Sequence, residues 1–212
     1  MIAPPERSAE RDAALLATLP NVPFDGWTRT ALRRGMAVDG ADPRDAGLLF
    51  PGGAADMIAA FCDLADRQMA AGLDGPEFAG LRTTARVRAA IALRLEQNRP
   101  HREAIRRALA VLALPGNTAL AAACTARTVD AIWQAAGDRA ADFSWYTKRA
   151  LLAGVYTATV LFWLRGTDTE ADDSATLAFL DRRLAAVGRI GALRRRAEAG
   201  LGRLLPPALR SA

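Results

Sequence analysis

The sequence predicts an all-α fold: a bundle of about nine or ten helices that begins with a helix-turn-helix-like module. Alanine and leucine are abundant and β-branched residues are sparse, which favours helix over strand. Apolar residues recur at spacings of three and four along most of the chain, and no segment has a credible strand pattern. Breaks rich in proline and glycine separate these stretches, and the connections are short, as in a compact bundle.

The N-terminal third predicts three short helices followed by a long one. Thr28 can cap the second helix, and Asp42 followed by Pro43 is typical of an N-cap with proline at the first helical position. This order is that of a helix-turn-helix module leading into a helical body. The predicted divisions are a disordered tail at 1–6, the module at 7–72, a helical body at 73–190 and an amphipathic C-terminal segment at 191–212.

The composition limits the cellular environments that suit the protein, but it does not identify a binding partner. The formal charge is +5, and Lys148 is the only lysine. A basic balance suits nucleic acid or an anionic membrane surface, and an arginine bias of this kind can also be genomic. Two cysteines far apart, Cys62 and Cys124, have the pattern of small core side chains and fit a reducing setting. We expect a cytoplasmic protein that associates peripherally with the inner membrane of a bacterium.

The parts needed for catalysis are mostly missing from the sequence. His101 is the only histidine and follows Pro100 at a predicted helix start, where we expect it to face solvent. One histidine and two separated cysteines do not give the spacing of a zinc site. Neither a P-loop, nor a glycine-rich dinucleotide motif, nor the Glu-x-x-His pairs of a diiron site occur. We therefore predict a protein that is not an enzyme and uses no metal and no cofactor, while a site built on Ser and Asp stays open.

One long motif carries a specific resemblance. It comprises Asp130-Ala-Ile-Trp-Gln-Ala-Ala-Gly-Asp138, Asp142-Phe-Ser-Trp-Tyr-Thr-Lys-Arg149 and Ala150-Leu-Leu-Ala-Gly-Val-Tyr156. These stretches resemble the ubiquinone-biosynthesis accessory proteins of the ninth Coq protein family. Similar shorter matches bring the coverage to roughly residues 10–190: Val22-Pro-Phe-Asp-Gly-Trp27, Leu49-Phe-Pro-Gly-Gly53, Arg88-Ala-Ala-Ile-Ala-Leu-Arg-Leu95, Ala113-Leu-Pro-Gly-Asn117 and Leu177-Ala-Phe-Leu-Asp-Arg-Arg183.

The resemblance implies a TetR-like fold that has lost DNA binding. It also implies a hydrophobic cavity for isoprenoid lipids and quinone intermediates, a surface patch for the diiron demethoxyubiquinone hydroxylase, a C-terminal amphipathic helix that touches membranes, and a homodimer. The function expected on this basis is that of a non-catalytic accessory protein, which binds polyprenyl quinone precursors and presents them to the hydroxylase.

The most apolar predicted helix, at about 144–165, supplies most of the candidate lipid-binding residues. Its large side chains recur at three and four, so they share one face. A helix that is apolar on most sides either lines a cavity or is plain core, and both readings stay open. The predicted lipid-binding residues are Trp133, Leu152, Tyr156, Val160 and Trp163.

Two surfaces are predicted to contact larger partners. Aromatic residues mixed with cations at the start of the apolar helix suit a protein-protein hot spot, unless Trp145 packs inward. The predicted hydroxylase-binding residues are Trp145, Tyr146 and Arg149. The C-terminal stretch has an apolar stripe beside arginines, as an interfacial helix needs, although dimer or bundle packing would use the same pattern. The predicted membrane-contact residues are Leu193, Arg194, Arg195, Leu201 and Leu204.

The same scaffold has an alternative function, that of a TetR-class ligand-responsive transcription regulator. DNA binding would place the third helix of the module, predicted at 43–50, in the major groove. That helix contains one arginine, one aspartate and a glycine, which makes it a poor reader of bases, so we expect no nucleic-acid partner.

Overall fold

Helices make up almost all of the regular structure. The computed structural model describes residues 3–137, 144–167 and 169–204, with side chains except those at 144–145, 170 and 190–204. Ten α-helices and no strand occur in these ranges, which confirms the predicted fold class. They are α1 (Ala9–Thr18), α2 (Val22–Asp25), α3 (Arg29–Val38), α4 (Ala46–Leu49), α5 (Gly53–Gly72), α6 (Thr83–Gln97), α7 (Arg102–Leu112), α8 (Thr118–Ala135), α9 (Ser144–Trp163) and α10 (Glu170–Leu204).

Local chemistry fixes where the first helices begin. The Ser8 hydroxyl accepts a hydrogen bond from the backbone N–H of Arg11 and caps α1. Thr28 caps α3 in the same way through the N–H of Ala31, as predicted. The Asp42 carboxylate accepts from the N–H of Arg44, but the segment that follows is a single 3₁₀ turn and the one-turn helix α4. The third helix of the module is therefore shorter than the predicted 43–50.

A glycine sets how closely α1 and α3 approach. A Cβ atom at Gly35 would lie 2.4 Å from the carbonyl oxygen of Ala17, which is far inside van der Waals contact. Only hydrogen fits at this position, because the neighbouring atoms belong to backbone and cannot rotate away. Gly35 thus lets the two helices pack backbone against backbone.

Two apolar clusters form the core. The first lies under the N-terminal module and includes Leu15, Trp27, Met57 and Phe61. The indole N–H of Trp27 donates to the carbonyl of Ala104 at 2.9 Å, which joins the module to α7. The second cluster is built from α5, α6, α8, α9 and α10. Module and body therefore share an interface through α5 and α7.

Helix α10 continues to Leu204, so the predicted division at 190/191 does not coincide with a helix end. No single helix of the described ranges is long and apolar enough to cross a membrane. Two bent helix pairs, Pro43–Leu49 with Gly53–Gly72 and Arg99–Leu112 with Pro115–Ala135, reach the required length and composition only when taken together.

Replacing Gly35 with alanine should destabilise the fold, because the new methyl group must push α1 away from α3. Overpacking of this kind costs about 1–3 kcal/mol. Gly47 is the matched control, since nothing lies within 4 Å of a Cβ placed there. Urea unfolding should show a clear loss for Gly35→Ala and a change within about 1 kcal/mol for Gly47→Ala. Equal stability of the two variants would contradict the close approach of α1 and α3.

Candidate functional site

The body contains a cavity of about 350 Å³ between α5, α6, α7, α8 and α9. Each helix presents one face to it. Helix α7 contributes Ile105, Ala108, Leu109 and Leu112, and α8 contributes Ala121, Cys124, Thr125 and Thr128. Both sets follow the spacing of three and four that keeps side chains on one face of a helix. The wall on the α7 side is wholly apolar.

Three of the five predicted lipid-binding residues line this cavity: Tyr156, Val160 and Trp163. Leu152 does not, and its expected place on the wall needs correction. It lies one turn before Tyr156 on the same face of α9, about 6 Å away along the helix axis. At that level it is buried in the second core cluster. Sequence spacing predicted which face of α9 borders the cavity. It did not predict how far along the helix that border extends.

Trp133 also needs correction, because it does not line the cavity either. It follows Thr128 by five positions on α8, which turns it about 140° away from the lining face. The structure places it against the second core cluster, with the Lys148 ammonium 6.0 Å from its ring centroid. Trp133 therefore contributes to the contact between α8 and the start of α9.

Opposite the apolar wall, the cavity has a polar floor around Arg94. The Arg94 side chain is buried, and its Nη1 lies 2.7 Å from Oδ1 of Asp66. Its Nε donates to the hydroxyl of Tyr156 at 2.9 Å, and Thr128 donates to the second oxygen of Asp66 at 3.1 Å. Burial raises the pKa of Asp66 to about 6, although Arg94 and Thr128 oppose the shift. Burial likewise raises the pKa of Tyr156, so its hydroxyl stays protonated at neutral pH.

The two cysteines meet at this floor, which their distance in sequence concealed. A hydrogen bond from Cys62 lowers the pKa of the Cys124 thiol to about 7, and Arg127, whose Nη2 lies 3.3 Å from the sulfur, acts in the same direction. The same interaction, together with burial, raises the pKa of Cys62. Cys124 is therefore the more acidic of the two thiols.

The cavity is open on the side away from Arg94. Ala113, Thr157 and Leu161 line it and are exposed, whereas Arg94, Cys124 and Thr128 are buried. The apolar side chain of Leu161 is 52% exposed. Leu114, which follows Ala113 in the sequence, is 55% exposed. The mouth thus has a rim that is apolar except for Thr157.

His101 differs from the prediction that it faces solvent. It is half-buried, its ring meets Phe61 edge-on with centroids 6.4 Å apart, and burial lowers its pKa. Within the described ranges, no group of three or more His, Cys, Asp or Glu side chains could hold a metal ion.

The predicted hydroxylase-binding residues are only partly described. Tyr146 is 73% exposed. Arg149 is mostly buried and makes an ion pair with Asp130 of α8, with Nη2 to Oδ1 at 2.7 Å, so it also fastens α9 to α8. The side chain of Trp145 lies outside the described residues, as do those of the predicted membrane-contact residues Leu193, Arg194, Arg195, Leu201 and Leu204.

Comparison with known proteins gives both a fold and a family. A TetR transcriptional regulator from Nitrosomonas europaea superimposes with a TM-score of 0.67 at 22% identity, covering 84% of this chain and 98% of that one. This likeness shows the TetR-like fold. A sequence model of the COQ9 family matches residues 118–191. The mitochondrial ubiquinone biosynthesis protein COQ9 of Schizosaccharomyces pombe is 32% identical, with 84% of this chain and 69% of the relative aligned.

The chain belongs to the COQ9 family. The COQ9 of Rattus norvegicus is 34% identical over 80% of this chain and 56% of its own length, and that of Homo sapiens is 30% identical over 80% and 55%. The chain thus spans little more than half the length of these animal relatives. The resemblance predicted from the sequence is confirmed.

The predicted location in the bacterial cytoplasm is contradicted by these relatives. The COQ9 proteins of rat, Dictyostelium discoideum, Xenopus tropicalis and Schizosaccharomyces pombe are all named as mitochondrial. Two unpaired cysteines indicate only a reducing environment. They do not distinguish one reducing compartment from another, so the composition could not predict the location.

Replacing Arg94 with methionine should destabilise the protein strongly, because it leaves the buried Asp66 without its cation. Breaking one partner of a buried pair costs about 3–5 kcal/mol. Arg88 on the same helix is the matched control, since its pair with Asp181 is exposed on both sides. Arg88→Met should cost less than about 1 kcal/mol in urea unfolding. Similar losses for the two variants would refute the buried position of Arg94.

Proposed function

We propose that this COQ9-family chain acts in ubiquinone biosynthesis as a non-catalytic lipid-binding accessory protein. It binds a polyprenyl quinone precursor in the cavity and delivers it to the demethoxyubiquinone hydroxylase, which supplies the chemistry. The relatives are named ubiquinone biosynthesis proteins. The single observation that carries the proposal is the apolar cavity bordered by Tyr156, Val160 and Trp163, inside the stretch matched by the family.

The size of the cavity supports a ligand. Its volume of about 350 Å³ is in the range of small-molecule sites. Most of its lining is apolar, and apolar surface in contact with water is unfavourable. An apolar guest would remove that surface from water, which supports a lipid ligand.

The same size limits how much of the ligand is enclosed. A cavity of about 150 Å³ holds benzene, so 350 Å³ holds roughly fourteen carbons, which is a substituted ring with one isoprene unit. The rest of a polyprenyl tail must leave through the mouth between Ala113 and Leu161. Exposed isoprenoid is unfavourable in water at about 0.8 kcal/mol per methylene-sized group, so the tail needs a bilayer or a partner.

Two contacts complete the proposal. Helix α10 extends to Leu204, and we propose that its C-terminal part, with the residues named above for it, lies on the membrane surface. The exposed Tyr146 at the start of α9 and the adjacent Trp145 contact the hydroxylase. Arg149 acts there through its pair with Asp130, by holding the start of α9 in place. The chain works as a homodimer in this proposal.

The alternative function as a transcription regulator has weaker support. The neighbour named a TetR regulator shares the fold at 22% identity, which carries no function to this chain. The segment that would read DNA is one turn of 3₁₀ helix and the one-turn α4, with Arg44, Asp45 and Leu48 exposed. A major groove is normally read by a longer recognition helix with several polar side chains. We therefore propose no nucleic-acid partner.

Filling the cavity should remove the bound lipid. Ala121→Phe projects a ring into the open space, while Ala122→Phe places the same ring on the exposed side of α8. Mass spectrometry of organic-solvent extracts should find isoprenoid lipid with the wild-type chain and Ala122→Phe, and at least several-fold less with Ala121→Phe. Absence of isoprenoid lipid from the wild type, or equal amounts in both variants, would count against the proposal.

The hydroxylase contact can be tested at its exposed aromatic residue. Tyr146→Ala should reduce capture of purified demethoxyubiquinone hydroxylase by about tenfold, because interface aromatic residues often contribute 1–2 kcal/mol or more. Thr147→Ala changes the next exposed residue and should leave capture unchanged. Undiminished capture by Tyr146→Ala would remove this residue from the interface.

A further inference from the structure

At the floor of the cavity, the hydroxyl hydrogen of Tyr156 is not used in a hydrogen bond among the described residues. The Tyr156 hydroxyl oxygen accepts from Nε of Arg94 at 2.9 Å, and Arg94 is permanently charged, so the hydroxyl cannot point its own hydrogen back at Arg94. Among the residues that the structure describes, no acceptor takes this hydrogen. Tyr156 lines the cavity, so its O–H is available to a guest.

Three other polar side chains of the wall already use a donor hydrogen within the protein. Thr125 donates its hydroxyl hydrogen to the carbonyl of Ala121 at 3.0 Å, and Thr128 donates to Asp66. The amide nitrogen of Asn98 donates to the carbonyl of Arg94 at 2.8 Å. The wall facing them, on α7, has only apolar side chains. A guest at this floor therefore meets the Tyr156 hydroxyl hydrogen next to the Arg94 guanidinium.

We propose that the quinone precursor enters ring-first, with one ring oxygen accepting a hydrogen bond from Tyr156. This inference rests on the proposed function and adds the orientation and the residue that recognises the ring. An isoprenoid tail has no acceptor, and with the tail at the floor the Tyr156 O–H would stay unpaired in an apolar space. A carbonyl or phenol oxygen pairs it, and the prenyl group then extends along α7 towards the apolar rim at Leu161.

Ring-first binding has a consequence for delivery. In this orientation the ring lies at the floor of the cavity, against Arg94 and Tyr156, and the prenyl tail fills the mouth. The hydroxylase cannot reach the ring in this state. The precursor must therefore leave through the mouth before it is hydroxylated, and the cavity holds it between the bilayer and the enzyme.

A matched pair of probes tests the orientation. Prenyl-trimethyl-1,4-benzoquinone carries ring oxygens, and its fully substituted ring leaves no open carbon to which a cysteine thiol could add. Prenyl-trimethylbenzene has the same carbon skeleton without oxygens. Binding of each to the full chain is measured by calorimetry or fluorescence quenching. The wild type should bind the quinone roughly two- to tenfold more tightly, the value of one hydrogen bond. Tyr156→Phe should lose this preference and keep its affinity for the hydrocarbon.

Thr125→Val is the control, because it removes a lining hydroxyl whose hydrogen is already used, and it should keep the preference. An infrared spectrum of the quinone bound to wild type gives a second readout that needs no variant: one carbonyl stretch should shift to lower frequency. Equal affinity of the wild type for both probes, an unshifted carbonyl, or a preference retained by Tyr156→Phe would overturn ring-first binding. Failure of the wild type to bind either probe would instead reject the proposed function.

Discussion

Arg94 carries a charge that cannot be removed near neutral pH, and α6 places it inside the body at 6% exposure. Such a charge is tolerated only if other groups meet it. Asp66 does so from α5 and Tyr156 from α9, while Thr128 of α8 holds the second oxygen of Asp66. These four helices must therefore keep their relative positions for the guanidinium to stay paired. The cavity lies directly beside this cluster, and Arg94, Thr128 and Tyr156 form part of its wall.

Local signals predicted the helices well, and tertiary position was harder to predict. The caps at Thr28 and Asp42 follow from side-chain chemistry within three residues, so they could be read from the sequence. The cavity face of α9 could be predicted for Tyr156 and Val160, but its limits depend on where other helices cross, which excluded Leu152. Arg94 could have been found, since it lies three positions after Ile91 within the apolar stripe of α6. The meeting of Cys62 with Cys124 had no local signal.

In the proposed function, the size of the cavity links lipid binding to the membrane surface. The cavity has room for only a ring and a short piece of tail, so a longer polyprenyl chain bound as proposed would remain outside at the mouth. That exposed apolar length makes a purely aqueous carrier unfavourable and favours work at a bilayer. Under the proposed function, this requirement gives the open apolar rim and the long C-terminal helix of this COQ9-family chain a common role at the membrane surface.

The most direct test maps where an isoprenoid lies when it is bound to the whole chain. A prenyl probe with a photoreactive diazirine on its first isoprene unit is added, irradiated and located by peptide mass spectrometry. The cavity account predicts labels within Ile105–Leu112, Ala121–Thr128 and Tyr156–Trp163, with competition by an unlabelled prenylated quinone. Labels confined to other helices, or labels that no prenylated quinone displaces, would contradict it.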